Sequence, residues 1–231
     1  MSDNLFWQDE EEREQRFEVP DDIVDLSFRL EGSRLQIDHA GALADALENR
    51  FDAATCARIG VHGVHMASSG NGWNRPEPPD TEMPLSRRAR LVIRCHRDDH
   101  REIASICGKT LELGEYAIRV GDFSERRLSM LGDLHARAVC CDPEQSEPDF
   151  LARVADDLKA LDIAVSRMIC GRSGTVRTRT DTLFTRALLI AGLKPEESVR
   201  LQQQGLGEGR FFGCGLFVPH KGIDAVYQAQ E

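Results

Sequence analysis

Hydrophobic and polar positions alternate in short runs along this chain, and helical periods separate the runs. Val24, Leu26, Phe28 and Leu30 alternate with Asp25, Ser27 and Arg29, the period-two pattern of a strand with one buried face. Gly32 closes that run. Ala40, Leu43, Leu47 and Phe51 then fall on one face at 3.6-residue spacing, with Asp38 as the expected cap. A second strand is expected over Ile59 to Met66 and a third over Leu91, Ile93 and Cys95. Asp98 opens a helix carrying Ile103, Ala104, Ile106 and Cys107, and Leu111 to Val120 reads as the returning strand. The order then starts again. Leu134, Ala136, Ala138 and Cys140 alternate, and Ser146 and Pro148 start a helix with Phe150, Val154, Leu158 and Leu161 on one face. Ile163 to Cys170 and Leu183 to Ile190 are the next strands. Pro195 begins a last helix, Glu196 and Glu197 suit its N-terminal dipole, and Leu216 to Val218 is a short strand ended by Pro219.

This is β-α-β-β-α-β written twice, so the expected fold is α+β, two ferredoxin-like domains in tandem, the architecture of RNA-recognition modules. The expected division is an acidic mobile leader over 1–20, a first domain over 21–124 and a second over 125–231, joined near Gly121 to Arg127.

Between the last helix and last strand lies the densest glycine cluster, with five glycines in the eleven residues from Gly205 to Gly215. Glycine frees φ, so such a loop can turn several N–H groups toward one anion. No Gly-Lys-Ser/Thr ending marks a Walker loop. A dinucleotide-binding loop follows a strand and opens a helix, the reverse of the order here. The position and the flanking strings Glu197-Ser198-Val199-Arg200-Leu201-Gln202 and Val218-Pro219-His220-Lys221 resemble one family. It is the Cas-six family of CRISPR-associated endoribonucleases in the RAMP superfamily, the myxobacterial-type subgroup in particular.

That resemblance implies a metal-independent enzyme, with no cofactor, that cuts CRISPR repeat RNA into guide units. The RNA's 2′-hydroxyl would be the nucleophile, leaving a 5′-hydroxyl and a 2′,3′-cyclic phosphate. The implied partners are precursor and mature guide RNA and other subunits of a CRISPR effector complex. The implied catalytic residue is His39, in the string Leu35-Gln36-Ile37-Asp38-His39-Ala40-Gly41-Ala42-Leu43 at a helix start, where the dipole disfavours the imidazolium. A local structural role for His39, or catalysis by His62 or His65, are the alternatives. Gly207, Gly209, Gly213 and Gly215 match the family loop, and Arg210 within it is the leading phosphate-contact candidate. Arg172, Arg177 and Arg179, crowded around Gly171 and Gly174 in an expected loop, are further RNA-binding candidates with a solvated face as the alternative, and Lys221 could stabilise charge on phosphorus. The rival class is a non-catalytic RNA-binding subunit of the same fold.

Charge qualifies this picture without excluding it. The net charge is −10, but residues 1–22 hold nine acidic and two basic residues, leaving the rest at −3. Residues 172–221 hold eight Lys/Arg and four Asp/Glu, a local balance of +4. RNA binding follows local potential, so focused, salt-sensitive binding is expected. The long connection over 67–88 offers Trp73 for stacking and Arg87 and Arg88 for phosphates, with a solvated hairpin as the alternative. Seven cysteines without a C-x-x-C pair argue for a reduced compartment, and Cys95, His96 and His100 match no common zinc spacing. With no apolar run near ~18 residues and no basic or apolar leader, the expected setting is the cytoplasm, with no membrane partner.

Overall fold

The structure, a computed structural model, describes residues 17–64 and 81–220. The leader up to residue 16, His65, Trp73 and Lys221, for which expectations were given above, lie outside the described residues. In chain order the elements are β1 (Ile23–Glu31), β2 (Arg34–Gln36), α1 (Ala40–Glu48), α2 (Ala53–Arg58), β3 (Gly60–His62), β4 (Glu82–Pro84) and β5 (Arg90–His96). They continue with α3 (His100–Ala104), β6 (Thr110–Leu113), β7 (Tyr116–Arg127), β8 (Leu134–Cys140) and α4 (Glu147–Ala160). The last are β9 (Arg167–Arg177), β10 (Thr182–Ala191), α5 (Pro195–Gln204) and β11 (Phe217–Pro219).

Two antiparallel sheets carry the fold. The first runs β3-β5-β1-β7-β6 and the second β11-β8-β10-β9. Taking β1, β3, β5 and β7 as the four strands of one unit, and β8, β9, β10 and β11 as those of the other, both sheets have the order 4-1-3-2. Each is ferredoxin-like, with its helices covering one face. The period-two residues Val24, Leu26, Phe28 and Leu30 lie buried under Leu43, Leu47 and Ile103 in the first core. In the second, Leu134, Ala136, Leu188 and Ile190 meet Phe150, Val154 and Leu158. Ser146 caps α4 by accepting from Asp149 N–H, and Glu197 accepts from Lys194 N–H to close the start of α5. Among the described residues no helix is long and apolar enough to cross a membrane.

Four local expectations are corrected. The expected strand over Leu111 to Val120 is a hairpin, turning at Gly114 with φ 62° between β6 and β7. The expected linker from Gly121 to Arg127 is the second half of β7, paired with β1 as far as Val24↔Arg127. Asp38 does not cap α1, because its carboxylate accepts from Arg177 instead. The basic segment around Gly171 and Gly174 is no loop; it is β9, laddered to β10 from Arg167↔Ala191 to Arg177↔Thr182. Two elements were not expected at all. One is α2, capped by Asp52 through Thr55 N–H at 2.7 Å. The other is the short β2–β4 pair.

Candidate functional site

The face of the first sheet opposite its helices is where the two halves meet. Cross-strand register puts Gly60, Arg94, Asp25 and Arg126 in one row of that face, and His62, Val92, Ser27 and Ser124 in the next. The first row is the seam. Arg94 is 1% exposed and holds Asp25 by two bonds, Nε to Oδ1 at 2.7 Å and Nη2 to Oδ2 at 2.9 Å. Its Nη1 donates to Gln202 O at the end of α5 and to Phe217 O of β11, at 2.8 and 3.0 Å. A guanidinium has enough donors in fixed directions to tie both halves together, which an ammonium does not. Gly60 makes room beside it, since a Cβ there would meet the Leu216 side chain at 2.6 Å. Burial alone would raise the Asp25 pKa, but the bonds and charge of Arg94 outweigh it and hold the carboxyl below its ordinary value.

The second row opens into a cleft of about 390 Å³, lined by Asp25, Ser27, His62, Arg88, Arg90, Arg126 and Arg127 from the first half. Ser129, Gln202, Val218 and Pro219 form its other wall. Arg90 donates to Ala89 O and Arg87 O. Arg88, Arg126 and Arg127 are exposed, and among the described residues none makes a close ion pair, although the Arg126 charge acts on Asp25 beside it. The cleft therefore presents an excess of cations beside one imidazole, with its single carboxylate already bonded to Arg94. Such a surface suits a polyanion.

The glycine-rich loop forms the end of this seam. Gly205 leaves α5 at φ 69°, and Leu206 N–H donates to Gly215 O where the chain crosses itself. A Cβ on Gly215 would lie 2.0 Å from Leu206 O, so the crossing admits only glycine. A 3-10 turn over Arg210–Phe212 follows. Its Phe211 packs on the first core, and a Cβ on Gly213 would stand 3.2 Å from Val61 O and 3.6 Å from Gly63 N. The loop thus abuts the exit of β3, next to both His39 and His62. Its high glycine content follows from its own path, since Gly205, Gly207, Gly209, Gly213 and Gly215 all have φ between 66° and 87°.

The predicted site residues take different positions. His39 stands at the N-terminus of α1, as expected, but it is 4% exposed. Its Nε2 accepts from Val64 N–H at 2.9 Å, so the proton is on Nδ1, which donates to Gln36 O at 2.9 Å. Both ring nitrogens are thereby tied to backbone, leaving neither for an RNA hydroxyl in this conformation. Arg210 turns inward and donates to Gln203 O and Gln204 O, closing the end of α5. Arg177 bonds Asp38 at 2.7 Å, and Arg179 bonds Asp45 and Glu48 at 2.6 and 2.9 Å. Gly41 lets that hairpin lie directly on α1, where a Cβ would meet Arg177 O at 2.7 Å. Arg172 is exposed on β9 with no such partner among the described residues. His135 is pushed down to about 4 by burial, with Arg137 and His220 adding to the effect, so it is neutral near pH 7. The arginines that sequence reasoning missed are Arg126 and Arg127. The one signal for them was their adjacency at the end of an alternating segment.

Comparison with known proteins agrees with this architecture. The family model described as Cas6 Crispr matches residues 24–222. The CRISPR-associated endonuclease Cas6 of Myxococcus xanthus strain DK1622 is 28% identical over 198 residues, 85% of this chain and 81% of that protein. Among solved structures, a CRISPR-associated protein Cas6 superposes with TM-score 0.60 at 11% identity, covering 86% of this chain and 99% of that one. A Cas6-related protein from Pyrococcus furiosus gives 0.57 at 9% identity, covering 85% and 98%.

Proposed function

The chain belongs to the Cas6 family, and we propose that it is a metal-independent endoribonuclease that cuts CRISPR repeat RNA lying in the basic cleft between its two sheets. The observation that carries this reading is the convergence of Arg88, Arg126 and Arg127 with His62 on one cleft, with the glycine-rich loop against the neighbouring exit of β3. Such a site needs a group to take a proton from the 2′-hydroxyl, a group to protonate the departing 5′-oxygen, and cations for the charge on phosphorus. The arginines supply the last. Of the two imidazoles flanking Gly63, His62 lines the cleft and is the better candidate for proton transfer. His39 acts as a positioning residue, since its bonds to Gln36 and Val64 hold the α1 start against the β3 exit. Catalysis by His39 itself would require Nε2 to release Val64 N–H when RNA binds.

The test is cleavage of labelled repeat RNA by the intact protein. His62→Ala is expected to lose about 10²- to 10⁴-fold in rate with binding nearly unchanged. His39→Ala is expected to lower the unfolding temperature, and its cleavage loss should track the unfolded fraction. A stable His39→Ala protein that binds but does not cut would return the catalytic role to His39. Substrate with 2′-deoxy at the scissile nucleotide should resist cutting, and EDTA should leave cutting intact. Binding without any shortening of the RNA would support the non-catalytic subunit instead.

A further inference from the structure

Two thiols meet where the glycine-rich loop touches the second sheet. Cys140 ends β8, and Cys214 lies between the positive-φ glycines 213 and 215. Backbone bonds bring them together: Gly215 N–H donates to Ala138 O at 2.7 Å, and Cys214 N–H donates to Gly209 O at 3.0 Å. The Cys140 thiol donates to Glu208 O at 3.4 Å. The Cys214 sulfur lies 3.3 Å from where a Gly209 Cβ would stand. Both sulfurs therefore flank the same short stretch, Glu208-Gly209. Both are free thiols. Cys140 is partly exposed while Cys214 is fully buried, so a small oxidant reaches the first before the second.

We propose that Cys140 and Cys214 form a thiol–disulfide site, oxidised by a peroxide, that pins the glycine-rich loop to β8. In the first step the Cys140 thiolate attacks a peroxide oxygen. An S–O bond forms, the O–O bond breaks, and the departing oxygen leaves as water or an alcohol after taking a proton. In the second step the Cys214 sulfur attacks the Cys140 sulfenic acid. The S–S bond forms, the S–O bond breaks, and hydroxide leaves with the Cys214 proton as water. The pair loses two electrons and two protons to the peroxide, and a dithiol reductant reverses the change.

The remaining thiols provide the contrast. The neighbouring Cys214 thiol holds the Cys140 thiol below its ordinary value, against burial and the Glu208 charge, with Arg153 helping. Burial pushes Cys56, Cys141 and Cys170 up, and Cys95 to about 12, so these are poorer nucleophiles. A disulfide needs its sulfurs about 2.05 Å apart, closer than two thiols in contact. Closing it draws the loop onto the β8 end, and with it the turn whose Phe211 rests on the first core.

The experiment treats reduced, full-length protein with equimolar hydrogen peroxide, blocks the remaining thiols and maps it by mass spectrometry without reduction. The expected product is a Cys140–Cys214 link, lighter by two hydrogens and lost on adding dithiothreitol, with slower hydrogen exchange over residues 206–215. Cys214→Ser should instead leave a Cys140 sulfenic acid that dimedone traps. Recovery of both thiols free while other cysteines oxidise would overturn the proposal, as would a dominant Cys140–Cys141 link. None of these readings depends on RNA cleavage.

Discussion

Two arginine-bearing regions of this molecule look alike in sequence and differ in structure. At the tip of the β9–β10 hairpin, Arg177 and Arg179 end on Asp38, Asp45 and Glu48 of α1. On the open face of the first sheet, Arg88, Arg126 and Arg127 line a cleft and make no close ion pair among the described residues. The hairpin cations join domains; the cleft cations are left to meet something else. Local charge, summed along the chain, cannot separate the two cases, because each neutralising carboxylate lies more than 130 positions from its arginine. What separates them is which secondary element each arginine faces across the seam.

The largest effect should come from Arg94, where a cation is both buried and paired. Arg94→Ala strands Asp25 in the seam and is expected to cost about 3–5 kcal/mol, read by denaturant unfolding. The same pair sets a pH response. The folded-state pKa of Asp25 is depressed, so its contribution is fully present above the ordinary carboxylate pKa of 3.8 and is lost as pH falls through the lower folded value. Wild-type protein should therefore lose stability in acid below that point, and Asp25→Asn should flatten that part of the curve.

Next in size is the cleft. Arg126→Ala with Arg127→Ala should weaken repeat-RNA binding roughly tenfold and lower the salt slope of log K by about 1 to 2. The unfolding midpoint should stay put. Unchanged binding with an unchanged slope would mean that RNA lies elsewhere and that the open cations are incidental.

The order of elements was legible because the apolar alternation of β1, β5 and β8 is strong, and the caps at Ser146 and Glu197 are local. The second half of β7 was not. Its residues Asp122, Ser124, Glu125, Arg126 and Arg127 are all exposed, so the stretch lacks the one-sided burial that writes a strand into sequence. That same polarity is what makes it a wall of the cleft. The glycine loop was legible as a special backbone, and packing sets it beside the β3 exit, near His39. The state of His39 was not legible, because Val64 N–H reaches its Nε2 only after α1 and β3 pack together. Whether an imidazole is a catalyst or a tie depends on such a partner.

The smallest effects should come from the hairpin tip, and they test the comparison most sharply. Arg177 is about half exposed while Asp38 is nearly covered, with side-chain exposures of 46% and 8%. Arg177→Ala should lower stability by about 1 kcal/mol, a fall of roughly 2–4 °C in unfolding temperature. Arg179 is more exposed, and Arg179→Ala should change the unfolding temperature less. Neither should alter the RNA salt slope, since a cation already paired with a carboxylate releases few counterions from RNA. A drop in slope of about one per residue would show the opposite, that RNA phosphates take these arginines from α1. Because Asp38 adjoins His39, that exchange would also loosen the α1 start, and the distinction between joining and binding arginines would then hold for the free protein only.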